Sequence, residues 1–474
     1  MTPTPSPATP PSASRDFHPS YIWLVSTVAA LGGLLFGWDW VVIGGAKPFF
    51  ESFFQLKDPS LVGWANSCAL LGCLAGAIVT GTISDRFGRR RPLLLAALLF
   101  AATSLGDAFA GTFAVFVAWR ILGGVAIGLA SGLSPLYISE IAPASRRGRL
   151  VSLNQLTIVI GILLAQYLNW YLVRNLPAAA TDEFIRASWF GQEGWRWMFG
   201  LTAAPSALFF FGMFFVPESP RWLAQRRRDG EARAILARVA GPAHADAEMA
   251  EIRRSLAAEA GTRVSLSELL DPRLRRVLGL GIFLAVFQQW CGINVIFNYA
   301  EEIFRSAGYD ISSVLKNIAW TGSVNLVATV SALGAVDRAG RRPLMLIGAG
   351  GLAVIFAALG GCYAAHAQGL PLLLLVLAAI ACYAISLAPV TWVMISEIFP
   401  TRVRGTAMSA AVSALWIACF ILTYTFPLLN ARLGASGTFW VYAAICAAGF
   451  LFILRRLPET KGRSLEELER ELVR

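Results

Sequence analysis

The 474-residue sequence predicts an all-α integral membrane protein, with twelve spanning helices arranged as two six-helix halves. Three observations carry that expectation. Hydrophobic residues make up 56% of the chain and charged residues only 15%, where soluble domains carry about 25% charged. Twelve apolar runs reach the roughly 20 residues that a helix needs to cross about 30 Å of hydrocarbon. The two halves also repeat the same motifs at a nearly constant offset.

In chain order the runs fall at about 21–46, 61–84, 92–110, 113–141, 150–173, 195–216, 276–300, 314–336, 343–366, 370–398, 405–430 and 436–456. Residues 1–16 are rich in Pro, Ser, Thr and Ala with no apolar core, so they read as a disordered tail and not as a signal peptide. An N-terminal bundle is expected over 17–216 and a C-terminal bundle over 276–456. The Glu/Arg/Ala-rich stretch 217–275 reads as a cytoplasmic linker of short amphipathic helices, and 457–474 as a cytoplasmic tail.

Orientation follows from the basic residues. The tail, the linker and the loops on the same side as the N-terminus hold 31 of the 40 Lys and Arg, which places both termini in the cytoplasm. Lys47, Lys57, Arg174, Arg186, Arg196, Arg305, Lys316 and Arg432 fall on the opposite side, Lys47 as a loop residue just past the first span. This pattern accounts for the +11 net charge through the bilayer and leaves no role for nucleic acid. Seven cysteines lie inside apolar runs without metal-ligand spacing and read as small buried hydrophobes. With three isolated histidines and no nucleotide loop or nucleophile constellation, the chain reads as a non-enzyme without metal or organic cofactor.

The repeat is explicit. GTISDRFGRRRPL (81–93) echoes GAVDRAGRRPL (334–344), SEIAPASRRG (139–148) echoes SEIFPTRVRG (396–405), and PESPRWL (217–223) has a partner in PETKGRS (458–464). Parallel repeats place a substrate site at mid-membrane between the halves, with access alternating by rocking. Gly88 and Gly340 are expected to permit tight turns, and Gly81 and Gly334 a close helix approach. Asp85 and Asp337 would face Arg146, Arg147, Arg402 and Arg404, with Glu140, Glu397 and Glu218 completing a ring of ion pairs. As solvated surface pairs they would contribute about 0–1 kcal/mol each. As pairs joining the halves they would bias the state closed to the cytoplasm.

Within the spans, Gln288, Gln289 and Asn294 stand in an otherwise apolar run. Amides both donate and accept, as sugar hydroxyls require, although a lone buried amide often serves only to bond two helices. Gln288 and Gln289 point about 100° apart and Asn294 roughly 240° from Gln288, so a straight helix cannot aim all three at one point. Gly292 lies between them and offers a place to break. Pro389 is expected to break the tenth span just before Trp392. Asp39 in the first span and Arg120 in the fourth both sit roughly 10 Å from the outer end of their helices, so they can pair. Competition for Arg120 would then gate a proton on Asp39, whereas a permanent pair would only fix two helices.

Together the paired DRxGRR loops, PESPRWL, QQWCGIN (288–294) and PETKGRS resemble the sugar porter branch of the major facilitator superfamily, over about residues 21–470. The likeness is to bacterial xylose– and arabinose–proton symporters and to mammalian glucose facilitators. It implies the major facilitator fold and import of a monosaccharide by proton symport across a bacterial inner membrane, by a monomer whose coupling ion is the proton. Residue by residue it implies sugar contacts from Gln155, Gln288, Gln289, Asn294, Asn325, Trp392 and Trp416, with Ile158 and Ile162 as an apolar wall. It places Asn298 and Tyr299 at an outer gate. Asp85, Arg89, Glu140, Arg147, Glu218, Asp337, Arg341, Glu397 and Arg404 match the inner gate. Proton-coupled members carry aspartate at the position of Asp39, where the facilitators carry asparagine.

Four positions depart from the family pattern. Leu415 replaces a sugar-contacting glutamine of the xylose symporter, and Ala384 replaces a glutamate of the glucose facilitators. Asn298 breaks the usual tyrosine pair, and Thr202 stands where the symporter has a sixth-span glutamate implicated in coupling. The sugar therefore stays open. A proton-independent facilitator is the nearest alternative, followed by a sugar sensor, which the short tail disfavours, and an organic-solute exporter, which the amide cluster disfavours.

Overall fold

The computed structural model describes residues 19–143, 146–177, 180–259, 271–400, 403–461, 463 and 467, with the side chains of 19, 258–259, 273 and 333–338 left undescribed. All regular elements among the described residues are helical. The first half contains α1 (Pro19–Phe54), α2 (Pro59–Phe87), α3 (Arg90–Ala108), α4 (Phe113–Ile141), α5 (Arg147–Val173) and the short α6 (Asp182–Ala187). Its sixth span is built from a π turn at Phe190–Gly194, α7 (Trp195–Gly200) and α8 (Ala203–Gly212). The linker contributes α9 (Pro220–Gln225) and α10 (Asp229–Glu259), the latter kinked at Ala240 and Gly241 just before Pro242. The second half contains α11 (Pro272–Trp290), α12 (Ile293–Asn298), α13 (Ala300–Ser306), α14 (Ile311–Ala339), α15 (Arg341–Ala364), α16 (Leu370–Ile385), α17 (Leu387–Ile398) and α18 (Arg404–Arg456).

Ten segments among the described residues are long and apolar enough to cross a membrane. One of them, α18, contains both of the last two expected spans, divided at Gly434 where φ is +66°. The expected eighth span is covered by α14. Asp58, Thr112 and Asp310 cap α2, α4 and α14 with side-chain oxygens, satisfying N–H groups that a helix start leaves orphaned.

Small residues set the packing inside the first half. A Cβ at Gly37 would collide with the Ile158 carbonyl, and one at Gly161 with the Leu34 carbonyl, so α1 and α5 touch backbone to backbone. Gly72, Gly124 and Gly128 do the same for α2 against α4. Gly81 does not serve the close approach expected of it, because a Cβ there would meet nothing within 4 Å. Gly81 is exposed and faces away from α4, which the preceding Thr80 still touches at Gly128. Gly334 lies outside the described side chains.

The halves meet on the face opposite the chain termini, called outer below. Gly63 of α2 packs on the Tyr424 carbonyl of α18, and Gly44 of α1 on the Phe297 carbonyl of α12. Along α5, Gln166 is buried and donates to Thr321 Oγ1 of α14 at 3.3 Å. Gln155 lies eleven residues toward the opposite, termini-bearing face, only about 20° around the helix from Gln166, yet it is exposed. The same side of α5 is thus covered by the other half at the outer level and bare at the inner level. The path is thus closed on the outer face and open on the face that carries the chain termini.

Candidate functional site

The seventh span breaks where its sequence allows it. Gly292 has φ +89°, a left-handed value that glycine adopts without a Cβ penalty, and separates α11 from α12. The break turns Asn294 back toward the two glutamines. Asn294 Nδ2 donates to Gln289 Oε1, and Gln289 Nε2 donates to Gln288 Oε1 at 3.4 Å. Gln288 Nε2 in turn donates to the carbonyls of Leu387 and Ala388 at 3.4 and 3.3 Å. Those carbonyls lie just past a second break, at Ser386 (φ −116°, ψ −86°) between α16 and α17. Pro389 follows three residues later and cannot bond back to Ile385, so the interruption falls one turn earlier than the position beside Trp392 expected from sequence.

The remaining expected sugar contacts divide by level. Trp392 is 40% exposed and Gln155 is exposed, while Ile158 is half-buried and Ile162 and Asn325 are buried. Trp416 is buried, its ring centroid 6.0 Å from that of Trp40 and 6.3 Å from that of Phe36. Its indole N–H has no protein partner. Of the five carboxamides and two indoles, Gln155 and Trp392 are exposed, and Gln288, Gln289, Asn294, Asn325 and Trp416 are buried.

Arg120 Nη1 donates to Asp39 Oδ1 at 2.9 Å, and both side chains are buried. The same nitrogen lies 3.7 Å from Oδ2 of a second acid, Asp107, which is 1% exposed. Sequence reasoning passed over Asp107, although an acid inside the third apolar run was the available signal. A cavity of about 10 Å³, the space of roughly one water, is lined by Asp39, Trp40, Asn66, Cys73, Arg120 and Asn298 among others. It borders the ion pair on one side and the seventh span on the other.

At the outer face the structure corrects the first span. Its helix continues eight residues past the expected end at 46, so Lys47 is not a loop residue but a buried one, 2% exposed. Lys47 Nζ lies 2.6 Å from Glu302, 3.3 Å from Glu301 and 3.5 Å from Glu51. Two of those three carboxylates belong to α13, so the cluster ties the first half to the second. Arg305 continues it, 3.2 Å from Glu301 and 3.9 Å from Asp182 of α6. Asn298 and Tyr299 lie buried beneath, and the Tyr299 hydroxyl donates to the Thr423 carbonyl at 2.6 Å.

At the face that carries the motif loops the repeat becomes three-dimensional. In the first half the N–H groups of Arg89 and Arg90 donate to Glu218 Oε1 at 2.8 and 3.2 Å. The Arg89 guanidinium grips Glu140 with two bonds of 2.9 Å, and Ser219 Oγ donates to Glu140 at 2.6 Å. In the second half the N–H groups of Arg341 and Arg342 donate to Glu459 at 3.1 Å each, Arg341 reaches Glu397 at 3.3 Å, and Thr460 Oγ1 donates to Glu397 at 2.5 Å. Gly88 (φ +88°) and Gly340 (φ +90°) form the turns, and a Cβ on either would press on the carboxylate of Glu218 or Glu459. Partial burial pushes the Glu459 carboxyl up, but backbone N–H groups of Lys461, Arg341, Arg342 and Thr460 outweigh it and hold the group below the usual carboxylate range.

The expected ring joins the halves only when this face is closed, and among the described residues it is not assembled in this arrangement. Among the described residues, the ion pairs of the motif loops stay within one half, except that Arg147 reaches the linker. Asp85 sits 3.8 Å from Arg89 and is largely exposed, Arg147 pairs with Glu248 of α10 at 3.3 Å, and Arg404 donates to the Phe399 carbonyl. The halves are parted at this face, so charges placed to meet across the gap turn to groups beside them. Arg402 and the side chain of Asp337 lie outside the described residues.

Known proteins share this architecture. The chain is 37% identical over 489 residues to the D-xylose-proton symporter of Escherichia coli K12, covering 96% of each protein. It is 38% identical over 458 residues to the arabinose-proton symporter of Bacillus subtilis 168, again covering 96% of each. Its fold matches the partially occluded inward-open conformation of the E. coli xylose transporter with a TM-score of 0.82, at 36% identity over 94% of this chain and 100% of that one. The family profile described as "Sugar (and other) transporter" matches residues 25–472. By sequence over nearly its whole length, and by fold, the chain belongs to the sugar transporter family of the major facilitator superfamily.

Proposed function

We propose that the chain imports a monosaccharide by proton symport with alternating access, as a multi-pass protein of a bacterial inner membrane with both termini in the cytoplasm. The observation that carries this reading is the cavity shared by Asp39, Arg120 and Asn298. Asn298 lies one turn along α12 from Asn294, so a change of charge at α1 and α4 borders the helix that carries the amide cluster. The two relatives named above are proton symporters for pentoses, which favours a pentose here.

In this mechanism Gln155, Gln288, Gln289, Asn294 and Asn325 exchange hydroxyl hydrogen bonds with the sugar. Trp392 and Trp416 cover its apolar faces, and Ile158 and Ile162 wall the ring. Asp39 is ionised while paired with Arg120 and takes the proton when the pair separates. Asn298, Tyr299 and the Lys47 cluster close the outer side. The intra-half networks of Arg89–Glu140–Glu218 and Arg341–Glu397–Glu459 hold the cytoplasmic ends of each half, and Asp85, Asp337, Arg147 and Arg404 stand where the faces meet on closure. Each half supplies one wall of the path, so one chain suffices.

Proteoliposomes test the reading. A pentose or hexose added outside should alkalinise the medium in wild type, and Asp39→Asn should lose that signal while counterflow exchange survives. Counterflow without any proton signal in wild type would leave a facilitator with Asp39 and Arg120 as a structural pair.

A further inference from the structure

Asp107 has no part in the mechanism above, yet it shares the guanidinium nitrogen on which that mechanism turns. Arg120 Nη1 lies 2.9 Å from Asp39 Oδ1 and 3.7 Å from Asp107 Oδ2. The other oxygen of each acid, Asp39 Oδ2 and Asp107 Oδ1, is buried without a hydrogen-bond partner. One guanidinium therefore faces two carboxylates, each with an open acceptor, and the group of three is neutral when it holds one proton.

We propose that Asp107 is a second carboxylate of the proton site: it competes with Asp39 for Arg120 and takes the guanidinium when Asp39 binds the coupling proton. The inference rests on the proton-symport reading. Its chemistry is a single O–H bond formed on a free carboxylate oxygen, with the positive charge of Arg120 passing from one acid to the other.

The topology explains why two acids are useful. α3 and α4 are joined by residues 109–112 alone, so Asp107 and Arg120 sit on one hairpin and stay together. α1 instead touches the second half through Trp40, Gly44 and Lys47, so Asp39 moves with the outer contact. With Asp39 as sole partner, that movement would strand a buried guanidinium, and an uncompensated buried charge is strongly disfavoured. Asp107 keeps Arg120 paired in both arrangements, so the cost of releasing Asp39 falls and the proton can load.

The remaining neighbours leave the balance to these three groups. α2 offers the neutral thiols of Cys68 and Cys73 and the amide of Asn66. α7 places the Phe199 ring face 5.2 Å from the Arg120 guanidinium carbon, and Arg196 of α7 is engaged by the Ala108 and Ala110 carbonyls at 2.7 and 3.0 Å. α8 carries no acid or base. Lys47, two turns along α1 from Asp39, is held by Glu51, Glu301 and Glu302.

The test compares wild type with Asp107→Asn in proteoliposomes, using D-xylose, or L-arabinose if wild type does not exchange D-xylose. Two rates are read: accumulation driven by an imposed proton gradient, and counterflow without one. Asp107→Asn should lower the ratio of accumulation to counterflow at least tenfold and flatten the pH profile of exchange, and Asp107→Glu should restore the ratio. An unchanged ratio overturns the proposal. If Asp107→Asn does not fold, Asp107→Ser carries the same test, and failure of both to fold makes Asp107 a structural anchor and overturns it as well. Absence of sugar-linked proton movement in wild type would sink the symport reading itself, an outcome read before any variant is made.

Discussion

Lys47 Nζ of the first span lies 2.6 Å from Glu302 Oε1 of the helix that follows the seventh, which makes a buried ion pair the outer seam between the two halves. Replacing Lys47 with Met takes the buried cation away from Glu51 and Glu302 and leaves Glu301 with Arg305 alone. Leaving buried carboxylates uncompensated costs about 3–5 kcal/mol, well above the roughly 1.4 kcal/mol that changes a population tenfold. Lys47→Met should therefore open the outer side. Labelling of an Asn298→Cys reporter by an impermeant maleimide should rise at least about tenfold in that background, and unchanged labelling would show that other contacts hold the seam.

Gly292 should not tolerate a side chain. At φ +89° an alanine is strained by about 1–2 kcal/mol, and its Cβ would lie 3.0 Å from the Tyr442 ring and 3.2 Å from Phe356. Gly292→Ala should lower sugar counterflow sharply in protein that still elutes as a single species. Gly279→Ala is the control, because a Cβ there meets nothing within 4 Å.

Gln289 is the middle link of the amide chain, accepting from Asn294 and donating to Gln288. Truncation to Ala leaves Asn294 and a sugar hydroxyl without their partner, a loss of about 1–3 kcal/mol. Sugar affinity measured by titration calorimetry should weaken by about 5- to 150-fold, with the fold intact by circular dichroism.

The cradle of backbone N–H groups around Glu459 predicts a pH dependence. Its carboxyl is held below the usual range, so the stability it contributes is complete above its unfolded value, about 4.3, and is lost as pH falls through the lower folded value. Thermal melts between pH 5 and about pH 3 should show wild type losing stability more steeply than Glu459→Gln. Parallel curves would mean that the ionised form is not what the cradle recognises.

The motifs of the cytoplasmic loops were legible in sequence because they encode local geometry. Glycine at 88 and 340 was readable as a turn, and both adopt positive φ. The break at Gly292 was legible for a similar reason, since three amides on one helix could not otherwise converge. Asp39 and Arg120 could be matched by depth alone because charge in an apolar run needs a partner. Asp107 was missed because a carboxylate near the end of a span resembles a boundary residue until a guanidinium is seen 3.7 Å away.

The sequence by itself determined the class, the order of the apolar spans and the repeat, because hydropathy, glycine positions and basic loops act locally and survive without knowing any long-range contact. Only the tertiary structure decided which face of the path is closed, that Arg89 and Arg341 each pair within their own half, that Lys47 is buried at the outer seam, and that two acids share Arg120. Most of those outcomes depend on helices that approach across 50 or more residues of chain, the Asp107–Arg120 contact on how one hairpin packs, and all on ion pairs whose energy varies steeply with distance and solvent exclusion. No local pattern carries that information.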